Sequence, residues 1–284
     1  MLLYNVLYVL GESIISIYPI LIKLTTMDVP FNSFIRMVSY FIISALFANL
    51  QVVQSIGVFK LLSLAVVNIA HILSSYYGFR ALNPSLAESI FYIYPFITIL
   101  LNILVLNETI SYTKFAFLIP VIYCIFNIYK DNEIENSQQN FSLGIPMLII
   151  AAITESLLYI IIKSVDMGAN PWNNLFASYA LGTILYGIYY IKQTGVGNLI
   201  DKIKTNKKEV SILVLANMLI GSFGYGVRFW AIPRIPSVTY SMFSYTGIFS
   251  TVALAFLLKL EKVSMTKIVY LLGLAVSIIT MKLI

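Results

Sequence analysis

Charge is what this sequence has least of. Lysine, arginine, aspartate and glutamate make up 11% of its 284 residues, against about 25% in a soluble domain of ordinary composition. That is too little to solvate the exterior of a chain this long, so apolar surface must face lipid. Cysteine is almost absent as well. Cys124 stands alone inside an apolar run, which excludes a disulfide framework and a thiolate metal site. The single histidine, His71, cannot supply the His-Glu-x-x-His helix of an intramembrane zinc protease. No Gly-x-Ser-x-Gly elbow and no Walker loop occurs. The apolar runs hold no aspartate, which removes an aspartyl intramembrane protease. The expectation is a protein that is not an enzyme, uses no cofactor or metal, and draws on a gradient of solute or protons. The N-terminus lacks a basic stretch and a small-residue cleavage site, so the segment from Leu2 reads as a retained helix.

What is present is hydrophobic sequence, 60% of the chain, with a mean hydropathy of +0.90. A membrane helix needs about 20 mostly apolar residues. Such runs lie at roughly 2–22, 31–50, 61–81, 86–106, 114–130, 142–163, 172–191, 209–230, 237–259 and 266–284. They lack the period-two alternation of a membrane barrel. Pro30, Pro84, Pro171 and Pro236 sit at or near the starts of runs, where proline is tolerated. The net charge of +6 gathers in part between Lys192 and Lys208. No basic helix with interleaved aromatics lies outside the runs, so nucleic acid is not an expected partner. A basic loop of this kind contacts lipid headgroups or sets topology.

The pattern repeats. Glu108-Thr109-Ile110-Ser111-Tyr112-Thr113-Lys114 and Glu261-Lys262-Val263-Ser264-Met265-Thr266-Lys267 share Glu, Ser, Thr and Lys in register. Glu12-Ser13 pairs with Glu155-Ser156, and Pro30-Phe31-Asn32 with Pro171-Trp172-Asn173, in the same order. The expected fold is an all-α integral membrane protein with ten transmembrane helices as two inverted five-helix repeats. Residues 1–130 form the first repeat, 131–141 a polar connecting loop and 142–284 the second repeat. Five spans per repeat is an odd number, so the second copy enters from the opposite side, an arrangement suited to carriers.

Pro30 and Arg36 in the second run, Ala81-Leu82 closing the third, Ala87 and mid-helix Pro95 in the fourth, and Glu108 after it form a recognisable series. Ala231 and Glu261 echo it in the second half. At these residues the sequence resembles the drug/metabolite transporter superfamily, in its ten-helix EamA-like branch. Ile248 stands where Pro95 has its counterpart, and the fifth run lacks the family's closing glycines, while the tenth keeps Gly273. The resemblance implies a carrier of small metabolites with cytoplasmic termini. The positive-inside tendency pulls the Lys192–Lys208 loop toward the cytoplasm instead, and orientation stays open between the two.

Ionisable groups inside apolar runs cost about 2.5–3.5 kcal/mol each and so face a cavity or a partner. Glu12 lies ~15 Å along the first helix, and Glu155 sits at a similar depth in the sixth. They are read as a site for a substrate amine or an exchangeable proton, or else as structural carboxylates between helices. Arg36 suits a carboxylate or phosphate, or a salt bridge to Glu88 or Glu12. Arg228 faces the same choice, with Gly224 and Gly226 beside it as packing residues. Glu88, near the start of its run, is read as a site residue or as reaching the interface. His71 is a candidate for titration or an interhelical hydrogen bond. Tyr92 and Tyr245 lie deep enough to line a cavity, whereas Arg80 is expected to snorkel to headgroups.

The expected function is secondary transport of a small polar metabolite, an amino acid, amine or similar, by alternating access, with proton coupling open. The alternatives are a nucleotide-sugar or sugar-phosphate exchanger and a non-transporting membrane scaffold. Expected partners are the solute and membrane lipids, with the chain a monomer or homodimer in the cell membrane.

Overall fold

In lipid every backbone polar group must pair within the chain, which favours helices. The computed structural model describes residues 2–109, 116, 118–133, 139–165, 167–168 and 170–283, and their regular structure is helical. Ile110 to Lys114 of the loop match and Glu135 of the connecting stretch lie outside the described residues.

In chain order the α-helices are α1 (Leu2–Ile15), α2 (Tyr18–Leu24), α3 (Val29–Ala45), α4 (Leu50–Ser55), α5 (Val58–Ala81), α6 (Pro84–Phe91), α7 (Tyr94–Leu106) and α8 (Leu118–Glu133). They continue as α9 (Phe141–Lys163), α10 (Pro171–Thr194), α11 (Val196–Thr205), α12 (Lys207–Leu219), α13 (Gly226–Ala231), α14 (Ser237–Ser244), α15 (Thr246–Leu257) and α16 (Met265–Leu283). Among the described residues, 6 helical stretches are long and apolar enough to cross a membrane, and three further apolar helices are shorter. The protein is an integral, multi-pass membrane protein. A helix lies over each apolar run of the sequence, but not all are equally apolar. α10 carries Asn173, Asn174, Tyr179, Tyr186 and Tyr190 on buried positions, which lowers its hydropathy.

The ends of these helices follow from local chemistry. The Asp28 carboxylate accepts from Phe31 N at 2.8 Å to open α3, and Asn170 accepts from Trp172 N at 3.0 Å to open α10. Asn32 then donates to Met27 O at 3.3 Å, and Asn173 to Met167 O at 2.8 Å, so each ties down the loop before its own helix. Two apolar stretches are broken internally. Pro19 and Pro95 occupy the first turns of α2 and α7, and lacking an N–H they interrupt the ladder running on from α1 and α6. A third break is a π-helical turn, Ile220–Tyr225, between α12 and α13. A fourth lies between α14 and α15, at Tyr245.

α6–α7 and α14–α15 lie antiparallel, with α7 against α14 and α6 against α15. Each pair ends on a residue in the left-handed conformation, Asn107 at φ 52° and Lys259 at φ 56°, and a glutamate follows closely, Glu108 or Glu261.

Candidate functional site

Backbone breaks bring charge together at the centre. α1 crosses the π-helical turn closely enough that a Cβ on Gly11 would stand 3.1 Å from Gly224 O, a tight contact that glycine avoids. That crossing sets Glu12 beside Arg228. Arg228 Nε lies 3.1 Å from Glu12 Oε1, and its Nη2 pairs with Glu155 Oε1. The three groups come from α1, α9 and α13 and are all buried. Tyr92 and Tyr94 donate to Glu12 Oε2, each at 3.4 Å, and Arg228 donates to the Tyr94 and Tyr240 hydroxyls.

His71 extends this cluster. Its Nδ1 is 3.2 Å from Ala151 O, and a carbonyl only accepts, so Nδ1 carries a hydrogen. Its Nε2 is 3.3 Å from Glu155 Oε2. A bare imidazole nitrogen and a carboxylate oxygen repel, so one proton lies between them, on the ring or on the carboxyl. Glu88 is buried rather than interfacial, and Thr251 donates to its Oε1 at 3.1 Å. Tyr245 is buried beside Tyr92, ring centroids 6.3 Å apart, and its hydroxyl has no hydrogen-bond partner among the described residues.

Arg36 differs from the salt-bridge expectation. It is 2% exposed, yet neither Glu12 nor Glu88 reaches it. Its Nε and Nη2 donate to Tyr179 Oη at 3.3 and 3.2 Å, and Nη2 donates to Tyr225 Oη at 2.9 Å. The rings of Tyr18, Tyr225, Tyr40 and Tyr76 surround its Cζ at 4.2 to 5.6 Å. Arg80 is exposed. Its Nη1 donates to Thr25 O and Met27 O, both at 3.0 Å, holding the turn between α2 and α3.

Two further polar clusters cap the α6–α7 stretch. At its start, Ser85 N donates to Glu261 Oε1 at 2.8 Å, the Ser85 hydroxyl donates to Glu261 Oε2, and Lys267 Nζ donates to Ser85 Oγ at 2.9 Å. Beyond its other end, Lys163 Nζ donates to Glu108 Oε1 at 2.6 Å and to Ser237 Oγ at 2.5 Å, and Ser237 hydrogen-bonds Glu108. Partial burial raises the Glu108 pKa, but hydrogen bonds from Lys163 and Ser237 and the lysine charge outweigh it and hold the carboxyl below its ordinary range. Pro84–Leu106 spans 23 residues, ~34 Å of helix, so the two clusters stand at opposite ends of the bundle.

Glu12, Glu88, His71, Arg36, Arg228 and Tyr92 line one narrow cavity of ≈ 20 Å³. Glu155 joins them through Arg228 and His71, and Tyr245 lies behind Tyr92. Tyr18 and Tyr94 carry no charge, so a search for intramembrane ions passes over them. The signal that finds them is an octet, Glu-Ser-Ile-x-x-Ile-Tyr-Pro, at Glu12–Pro19 and again at Glu88–Pro95. In each copy the tyrosine opens the helix after the break and faces an arginine, Tyr18 toward Arg36 and Tyr94 toward Arg228.

Residues 2–129 match the EamA-like transporter family and form an EamA-like domain, part of the drug/metabolite transporter superfamily. No curated protein matches the chain.

Proposed function

We propose that this chain is a secondary transporter carrying a small polar metabolite, an amino acid, amine or similar, across the cell membrane by alternating access. The observation carrying this reading is the buried Glu12–Arg228–Glu155 triad on a cavity with room for about one water. Buried ion triads are poor stabilisers compared with apolar packing, whereas a solute-binding centre requires such groups. Polar clusters stand at both ends of the α6–α7 stretch that borders this cavity, as they would in an occluded carrier.

The reading includes two inverted five-helix repeats, 1–130 and 142–284. Its support is reciprocal contact: Glu108 of the first half meets Ser237 of the second, and Glu261 of the second meets Ser85 of the first. The matching roles of Asn32 and Asn173 add to it. In this mechanism the Ser85–Glu261–Lys267 lock opens to one side and the Glu108–Lys163–Ser237 lock to the other, never both together. Glu12, Glu155, Glu88, Arg36, Arg228, Tyr92 and Tyr245 hold the solute. The proton shared by His71 and Glu155 exchanges with Arg228 rearrangement, because Glu155 binds both.

The test is counterflow of labelled amino acids, amines and sugar phosphates in proteoliposomes, with and without a pH gradient. Counterflow accelerated by the gradient, and insensitive to it in His71→Gln, is expected. No counterflow of any solute would remove the reading.

A further inference from the structure

The two buried arginines sit in like surroundings and differ in one respect. Arg228 lies among the rings of Tyr94, Tyr240 and Tyr225, at 5.4, 5.5 and 5.8 Å, and has two carboxylates. Arg36 lies among tyrosine rings as well, shares Tyr225 at 5.2 Å, and has no carboxylate within ion-pair distance among the described residues. Both are 2% exposed. A guanidinium stays charged at any physiological pH, and a buried charge without a counter-ion is disfavoured. Phenol hydroxyls and ring faces soften that penalty but bring no opposite charge.

The charges of the cavity therefore divide. Arg228 is balanced by Glu12 and by Glu155, which shares a proton with His71, on one side of Tyr225, and Arg36 leaves an excess of positive charge on the other. Both sides border the same cavity. We infer that Arg36 is an anion subsite for a carboxylate on the transported solute. This rests on the carrier reading above and narrows it to small solutes that bear a carboxylate.

A carboxylate fits a guanidinium through two parallel N–H···O bonds. The hydroxyls of Tyr179 and Tyr225 take those donors when no solute is bound. They rotate away at the cost of hydrogen bonds from the cation to neutral acceptors, which are weaker than the bidentate pair of two opposite charges replacing them. A phosphate monoester fits less well. It carries about −1.5 to −2 charges at neutral pH, and the lysines that would share that load, Lys163 and Lys267, are held in the end clusters.

The experiment uses the full-length protein in proteoliposomes and three matched sets of probes: the common amino acids, their decarboxylated amines, and their deaminated acids, with phosphoserine added. The readout is the transport ratio of each amino acid over its matched amine, which does not depend on how much protein is folded. Wild type should favour amino acids by at least tenfold. Arg36→Lys should reduce that ratio several-fold, because lysine keeps the charge without the fork. Tyr179→Phe should raise it, because a competing acceptor is gone. Arg36→Met should bring it to unity, with thermal stability retained or increased. An amine carried as well as its amino acid, or a ratio unchanged in Arg36→Met, would overturn the inference while leaving the carrier reading standing. Preference for phosphoserine would overturn it in favour of phosphate. No transport of any probe would remove both.

Discussion

The backbone N–H of Ser85 donates to Glu261 Oε1 at 2.8 Å, so a carboxylate 176 residues away caps the helix that begins at Pro84. No residue of its own loop does so: Asn83, at the N-cap position, makes no side-chain cap hydrogen bond. The stability of this end of α6 is thus tied to whether the segment after α15 stays docked.

The two locks should open opposite faces. In a background with Cys124 replaced, a cysteine at Ser75, which lines the central cavity, reports access by a membrane-impermeant thiol reagent. Loss of a cap weakens a helix end by about 1 kcal/mol, so Glu261→Gln should raise labelling from one face roughly fivefold. Glu108→Gln should raise it from the other. Labelling from the same face in both variants would contradict the lock assignment.

Removing Arg228 should be far more damaging than removing its partners. Arg228→Met leaves Glu12 and Glu155 buried and uncompensated, and breaking a buried pair in this way costs about 3–5 kcal/mol. Adding Glu12→Gln and Glu155→Gln to that variant should restore most of the lost thermal stability. Thermal unfolding in detergent measures both, and no recovery in the triple variant would argue against the triad.

How much of this was legible in the sequence depends on what carried the signal. Glu12, Glu155 and Arg228 were found because an ion in an apolar run is expensive and conspicuous. The repeat related Glu12 to Glu155 but did not point to Arg228 as their partner. The surroundings of Arg36 were not legible, because Tyr18, Tyr40, Tyr76, Tyr179 and Tyr225 come from five separate segments and no spacing relates them. Burial of Glu88 was hidden for a similar reason. It lies close to the start of its run, and only the packing of α15 on α6 covers it with Thr251. The octet around Tyr18 and Tyr94 was present in the residues themselves, but hydropathy does not register it.

Gly247 tests the packing around Tyr92. A Cβ there would lie 1.7 Å from the Tyr92 hydroxyl and 2.4 Å from Ser16 Oγ. Gly247→Ala must therefore displace the Tyr92 hydroxyl, which donates to Glu12. Overpacking of this kind costs about 1–3 kcal/mol, which a stable bundle tolerates. Transport should fall sharply in the folded variant, and combining it with Tyr92→Phe should remove the contact with the hydroxyl and recover part of the thermal stability.

Acid should loosen the Glu108 lock. The Glu108 pKa is lowered in the fold because Lys163 and Ser237 outweigh the effect of burial. Its contribution to stability is then complete above the ordinary glutamate range, near pH ~4.3, and is lost as pH falls through the lower folded value. Melting temperature measured between about pH 3 and 6 should fall more steeply on acidification in wild type than in Glu108→Gln. Equal slopes would contradict the ion pair.

The central claim is that the buried carboxylates serve the solute and not only the fold. Its most direct measurement is solute exchange in proteoliposomes by Glu12→Gln and Glu155→Gln, each isosteric with the parent, alongside thermal unfolding of the same preparations. The account predicts loss of exchange in both variants with folding retained. Exchange at the parental rate in both would contradict it.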